Sequence, residues 1–173
     1  MKPEKIQELP AEEQFMKAKD TVGWILSNSP QTASELTRKL VRKGYVQEVA
    51  DAAVAWAHEY GFVDDTAYAE LFLKEYVLRI GKSSSWAKTK LRMKGVSDDD
   101  VEEAMYRLES DGELTADAEH ARAVQAGETV WRRIPASDTS EARKRKFFSR
   151  LARMGYSYSA CANVWRELSS QDD

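Results

Sequence analysis

A short signature recurs three times along the chain and constrains its fold more than any other feature. The copies read Leu36-x-x-x-Leu40-x-Arg42-Lys43-Gly44-Tyr45, Ala87-x-x-x-Leu91-x-Met93-Lys94-Gly95-Val96 and Phe147-x-x-x-Leu151-x-Arg153-Met154-Gly155-Tyr156. The first two copies lie 51 residues apart and the last two 60. A second glycine follows 17 residues after the first in two copies, Gly44 to Gly61 and Gly95 to Gly112. A period of this size marks stacked supersecondary units, each too small to bury its apolar face alone. Such arrays act mostly by binding along extended surfaces.

The units are helical. Apolar residues recur with a 3.6-residue period almost everywhere, and strand-like alternation is nearly absent. A first helix is expected over about 12–27, with Phe15, Ala18, Val22, Ile25 and Leu26 on one face. Thr32-x-x-Glu35 forms a capping box for a second helix that stops at Gly44. A third runs from about Gln47 to Gly61, and Asp64 caps a fourth that reaches Arg79. The same grammar follows from Ser83 or Ser84 to Gly95, from Ser97 to Gly112, and from Thr115 to about Trp131. After a loop over Ile134–Thr139, two helices complete the series, at about 140–154 and 159–168. The expected fold is all-α: an elongated array of three tandem three-helix repeats, over 11–62, 63–113 and 114–168. A flexible segment over 1–10 precedes it and a flexible tail over 169–173 follows.

Composition excludes several classes. With 173 residues, 42% hydrophobic and 32% charged, the chain can bury a core. No apolar run approaches the roughly 18 residues of a membrane span, and no apolar leader stands at the N-terminus. A lone Cys161 rules out an internal disulfide framework and suits a reducing cytoplasm; by alignment with Val101 it is a buried small hydrophobe. A net charge of −3 argues against a uniformly basic nucleic-acid binder.

Local charge is segregated instead. The middle helix of each repeat is basic: Arg38, Lys39, Arg42 and Lys43 in the first; Lys88, Lys90, Arg92 and Lys94, preceded by Arg79 and Lys82, in the second. The third carries Arg143, Lys144, Arg145, Lys146, Arg150 and Arg153. No acidic residue occurs between Tyr76 and Ser97, whereas ten acids face one Arg107 between Asp98 and Glu119. This pattern fits a basic ridge with acidic flanks, suited to phosphates or an acidic protein surface. It equally fits solvated helix faces whose cations favour the C-terminal ends of their own helices. Trp86 falls at an outward position among Lys88 and Lys90, where an aromatic serves as a hot spot or a base-stacking platform, or else packs on the preceding helices. Trp24, Trp56 and Trp165 fall on apolar stripes and are expected in the core.

Other signals fail on chemistry. Gly81-Lys82-Ser83 ends like a P-loop, but Tyr76 stands where the first glycine is required and the preceding segment reads as helix. Asp64-Asp65 lacks a His or Cys partner and reads as a helix start. His58 and His120 are isolated on different helices, so neither a zinc site nor a base–nucleophile pair is supported. No enzyme activity, metal or cofactor is expected.

The run Ser34-Glu35-Leu36-Thr37-Arg38-Lys39-Leu40-Val41-Arg42-Lys43-Gly44-Tyr45, followed by Tyr60-Gly61-Phe62-Val63-Asp64-Asp65-Thr66-Ala67-Tyr68-Ala69-Glu70, resembles the RecX family of bacterial recombinase regulators. Leu91-Arg92-Met93-Lys94-Gly95-Val96 resembles that family's L-x-x-K-G-I motif, and Gly155-Tyr156 with Val164-Trp165-Arg166-Glu167-Leu168 fits its third unit. The departures are Lys90, where the family usually has an acid, Ala87, where it usually has an aliphatic, and Gly81-Lys82-Ser83-Ser84-Ser85, where it has a more recognisable G-x-G-like turn. The resemblance implies a cytoplasmic, non-enzymatic modulator that lies in the groove of the RecA–DNA filament and restrains its ATPase, strand-exchange and co-protease activities. Single- or double-stranded DNA is then a possible second contact, the membrane is not, and a monomer is expected. On this reading the contact surface is drawn from Arg38, Lys39, Arg42, Lys43, Arg79, Lys82, Trp86, Lys88, Lys90, Arg92, Lys94, Arg143, Lys144, Arg145, Lys146 and Arg150. A direct DNA-binding helical-repeat protein and a general interaction scaffold are the alternatives.

Overall fold

The computed structural model of the chain describes residues 6–170. Between Ala11 and Ser169 they form nine helices, and no strand occurs among the described residues. Contacts group them into two units, Met1–Ala69 with Leu91–Val101, and Glu70–Lys90 with Glu102–Asp173. The divide passes through three helices of the second repeat, which therefore contributes to both units. Expected flexibility at 1–5 and 171–173 lies outside the described residues.

The first unit is built on α1 (Ala11–Asn28), α2 (Ala33–Arg42) and α3 (Gln47–Glu59). Helix α2 starts where the sequence places it because both halves of the capping box form: Thr32 accepts from the Glu35 N–H at 3.1 Å, and the Glu35 carboxylate accepts from the Thr32 N–H at 3.5 Å. Leu36 and Leu40 are fully buried against Val22, Ile25, Val49, Ala53 and Ala57. Ile6, within the segment expected to be flexible, is buried in the same core. Gln14 is buried beside it and donates to the Leu9 carbonyl at 2.9 Å. The unit also takes the start of α4 (Asp65–Leu73), the end of α5 (Ser84–Met93) and the start of α6 (Asp98–Ser110).

The second unit continues α4 into a π-helical turn, Lys74–Arg79, where an uninterrupted α-helix is expected. It holds α7 (Ala116–Arg132), α8 (Ser140–Arg153) and α9 (Tyr158–Ser169), which pack on one another. Thr115, Thr139 and Ser157 cap these helices through their hydroxyls. Phe147 and Leu151 are fully buried among Ala123, Val130, Val164 and Leu168, with Trp131 and Trp165 closing the side. Gly127 sits where α7 meets this core: a Cβ there would lie 2.4 Å from Val164. Cys161 is 1% exposed, and burial raises its thiol pKa, as a small core hydrophobe requires.

Candidate binding surface

One joint is built twice from the repeated signature, once in each unit. In the first, the Thr32 hydroxyl donates to the Lys94 carbonyl at 2.8 Å, and the Asp65 carboxylate accepts from the Ala33 N–H at 2.9 Å. In the second, the Ser83 hydroxyl donates to the Gly155 carbonyl at 2.7 Å, and Glu119 accepts from both the N–H and the hydroxyl of Ser84, at 3.2 and 2.8 Å. The start of one middle helix is thus held by the closing turn of the next middle helix and by an acid from the helix before that one. Gly95 and Gly155 fit these joints for two reasons. Their φ values are +85° and +92°, and a Cβ on either would lie 2.3 Å from Ser34 or 2.4 Å from Trp86. In the second joint the Tyr156 hydroxyl donates to the Gly81 carbonyl at 2.9 Å; burial, with Glu119 nearby, pushes its pKa up to about 12.

These joints fix how the first two middle helices present their cations. On α2, Arg38, Arg42 and Lys43 are exposed, and Lys39 is half-buried and bonded to the Gln31 side chain. Lys94 is not available in the same way. Its ammonium is held by Glu35 at 2.8 Å and stands 5.5 Å from the Tyr68 ring centre, and its carbonyl serves the joint. Burial works against its charge, but the Glu35 and Tyr68 hydrogen bonds outweigh it and raise the pKa. Arg92 pairs with Asp98 at 2.5 Å on an exposed face.

On α5 the surroundings of Trp86 differ from an open outward position. Its indole is half-buried, stacked on Phe72 with centroids 6.2 Å apart and tilted on Tyr76 at 5.4 Å. Lys82 and Lys90 stand over it at 5.1 and 5.8 Å. Trp86 therefore supports the basic face more than it projects from it. Lys88 is half-buried, and Arg79 is exposed but paired with Glu75, whose carboxyl pKa the guanidinium lowers.

On α8, Lys144 and Arg145 are exposed, with Lys144 5.8 Å from the Phe148 ring centre. Lys146 is bound to Asp138 at 2.7 Å, Arg143 lies over Trp131 at 4.4 Å, and Arg150 is half-buried. Arg38, Arg42, Lys43, Lys144, Arg145 and Arg153 are thus the exposed cations of the first and third middle helices, and Lys82, Lys88 and Lys90 line the second.

Trp24 corrects the sequence reading. It is 63% exposed, with the Lys43 ammonium 5.0 Å from its ring centre, and is not in the core. On α1 it lies more than about 100° around the helix from the buried stripe of Ala18, Val22 and Ile25, a signal that angular position carries and hydrophobicity alone hides. Trp56 and Trp165 do pack against their cores.

Helices whose starts are tied to the next repeat, each with a cationic outer face, define an all-α protein of tandem three-helix repeats. The chain matches the RecX family's first three-helix domain over 18–56 and its second over 64–105. It is 31% identical to the regulatory protein RecX of Mycobacterium ulcerans, over 86% of this chain and 83% of that one. It is 25% identical to the regulatory protein RecX of Clostridium perfringens, over 98% of this chain and 76% of that one. The crystal structure of RecX from Lactobacillus salivarius shares the fold with a TM-score of 0.74 at 20% identity, covering 91% of this chain and 98% of that one. The chain belongs to the RecX family of regulatory proteins.

Proposed function

We propose that this chain binds the filament a RecA-type recombinase forms on single-stranded DNA and restrains its ATPase, strand-exchange and co-protease activities. One observation carries the reading beyond family membership. The starts of the first two middle helices are fixed by the same joint and all three middle helices carry cations, so a basic helix recurs once per repeat, as suits a partner built from repeating protomers and phosphates. The protein acts by occupying its partner, without a reaction of its own, and as a monomer in the cytoplasm.

The test is DNA-dependent ATP hydrolysis by the cognate RecA on single-stranded DNA while this protein is titrated in. Hydrolysis falls well below one copy per RecA protomer if the chain blocks filament growth. Unchanged hydrolysis at stoichiometric excess overturns the proposal. Charge reversal at Lys88, Lys90 and Arg92 weakens inhibition at unchanged helical content. Undiminished inhibition by that variant removes α5 from the contact surface. A direct DNA-binding role without RecA would instead give steeply salt-dependent affinity for naked duplex.

A further inference from the structure

Trp24 lies in a concavity of about 350 Å³ on the first unit, within the range of small-ligand sites, lined by Trp24 and Ile25 of α1, Lys39 and Arg42 of α2, and Lys43 just after it. Asn28 and Ser29 complete its lining, and no carboxylate lines it. Of the three tryptophans with lysines over their rings, Trp56 packs against the core and Trp86 is covered by Phe72 and Tyr76, while Trp24 is open.

We propose that this concavity is a subsite for one nucleotide of single-stranded DNA, with the base stacked on the Trp24 indole and its phosphate held by Arg42 and Lys43. The layout matches the ligand: a flat apolar floor beside the neighbouring cations Arg42 and Lys43, as a flat base is joined to an anionic phosphate. Lys43 now stands over the ring at 5.0 Å and exchanges that cation–π contact for a phosphate when the base arrives. An acidic peptide would satisfy the cations but gives the exposed indole no matching flat surface, so the nucleotide is favoured. The inference rests on the DNA contact in the function proposed above and adds a site to it.

The test uses the whole protein without RecA and measures binding of a fluorescent oligothymidylate by anisotropy. Trp24→Ala weakens binding by about 5- to 150-fold, the span expected for one lost base–aromatic stack, and Trp24→Phe restores most of it. An abasic oligonucleotide of equal length binds the wild type no better than oligothymidylate binds Trp24→Ala. Arg42→Glu weakens binding and lowers the salt slope by about one. Circular dichroism confirms that the variants fold, as the exposure of Trp24 leads one to expect. Equal oligothymidylate affinity of Trp24→Ala and wild type overturns the subsite, as does full wild-type affinity for the abasic strand. Polyglutamate binding that alone depends on Trp24 overturns it in favour of an acidic protein groove. The two proposals fail separately. Trp24-dependent oligothymidylate binding without RecA inhibition leaves the subsite standing, and RecA inhibition that Trp24→Ala does not alter leaves the filament reading standing.

Discussion

Gly95→Ala tests the joint most directly. The residue sits at φ +85°, where a Cβ costs about 1–2 kcal/mol. That Cβ would also lie 2.3 Å from the Ser34 Cβ and 2.4 Å from its Oγ. Ser34 is in the first turn of α2 and cannot swing aside as a long side chain does. Overpacking of this kind adds about 1–3 kcal/mol, so the whole change costs about 2–5 kcal/mol, a large part of the roughly 5–15 kcal/mol that holds a typical domain folded. Gly112→Ala is the control: its φ is +78° but no atom lies within 4 Å, so only the backbone penalty remains. Urea unfolding followed by helical circular dichroism measures both, with slopes compared to exclude a change in the unfolded state. Gly95→Ala unfolds at clearly lower urea than Gly112→Ala, and Ser34→Gly in the Gly95→Ala background recovers much of the difference as a coupling energy of about 1–3 kcal/mol. Equal midpoints for the two alanine variants, or no coupling with Ser34, would refute the joint as the reason for this glycine.

Three further outcomes follow from the same contacts. Thr32→Val removes the cap on the Glu35 N–H and the bond to the Lys94 carbonyl at little change in shape, and costs about 1–3 kcal/mol in urea unfolding, while Thr32→Ser costs little. Burial raises the Asp65 pKa, with the Ala33 N–H opposing and Asp100 adding to the rise, so its folded pKa exceeds the unfolded 3.8. Such a carboxyl favours the fold below the unfolded value and loses that contribution as pH rises through the folded one. Asp65→Asn therefore gains on the wild type at neutral pH, and the gap narrows as pH falls to about 3, as thermal melts across that range will show. Burial pushes the Tyr156 phenol up to about 12, so the alkaline absorbance titrations of wild type and Tyr156→Phe differ by one phenol step near that pH.

Helix starts and stops were legible because their causes are local. Thr32, Thr115 and the turn glycines act on residues within one turn, and the paired buried positions Leu36/Leu40 and Phe147/Leu151 are set by helical period alone. The bonds at the joints were not legible, because they link residues 62 and 72 positions apart and leave no periodic trace. The glycine of the signature announced a turn but not the neighbour that forbids its Cβ. Trp86 was placed outward because its own helix says so, and the covering rings come from the preceding helix, Phe72 from α4 and Tyr76 from the π-turn that follows it, which local propensity does not reveal. Trp24 was misplaced for the opposite reason: its size suggests a core residue, although its angle on α1 points away from the core. Of the cations, helical position found the candidates, but only the structure separates Lys94 and Lys146, engaged with Glu35 and Asp138, from the exposed Arg42 and Arg145.

The joint also orders events at the ribosome. The start of α2 cannot be completed until Asp65 and then Lys94 have emerged, and the start of α5 must wait for Glu119 and Gly155. The first two middle helices of the growing chain are therefore left with unsatisfied groups at their leading ends until the following repeat has been translated. Maturation passes along the nascent chain one repeat behind synthesis. A translation product halted after the first repeat would lack the acceptors for the Thr32 hydroxyl and the Ala33 N–H, leaving the start of α2 open to cellular proteases.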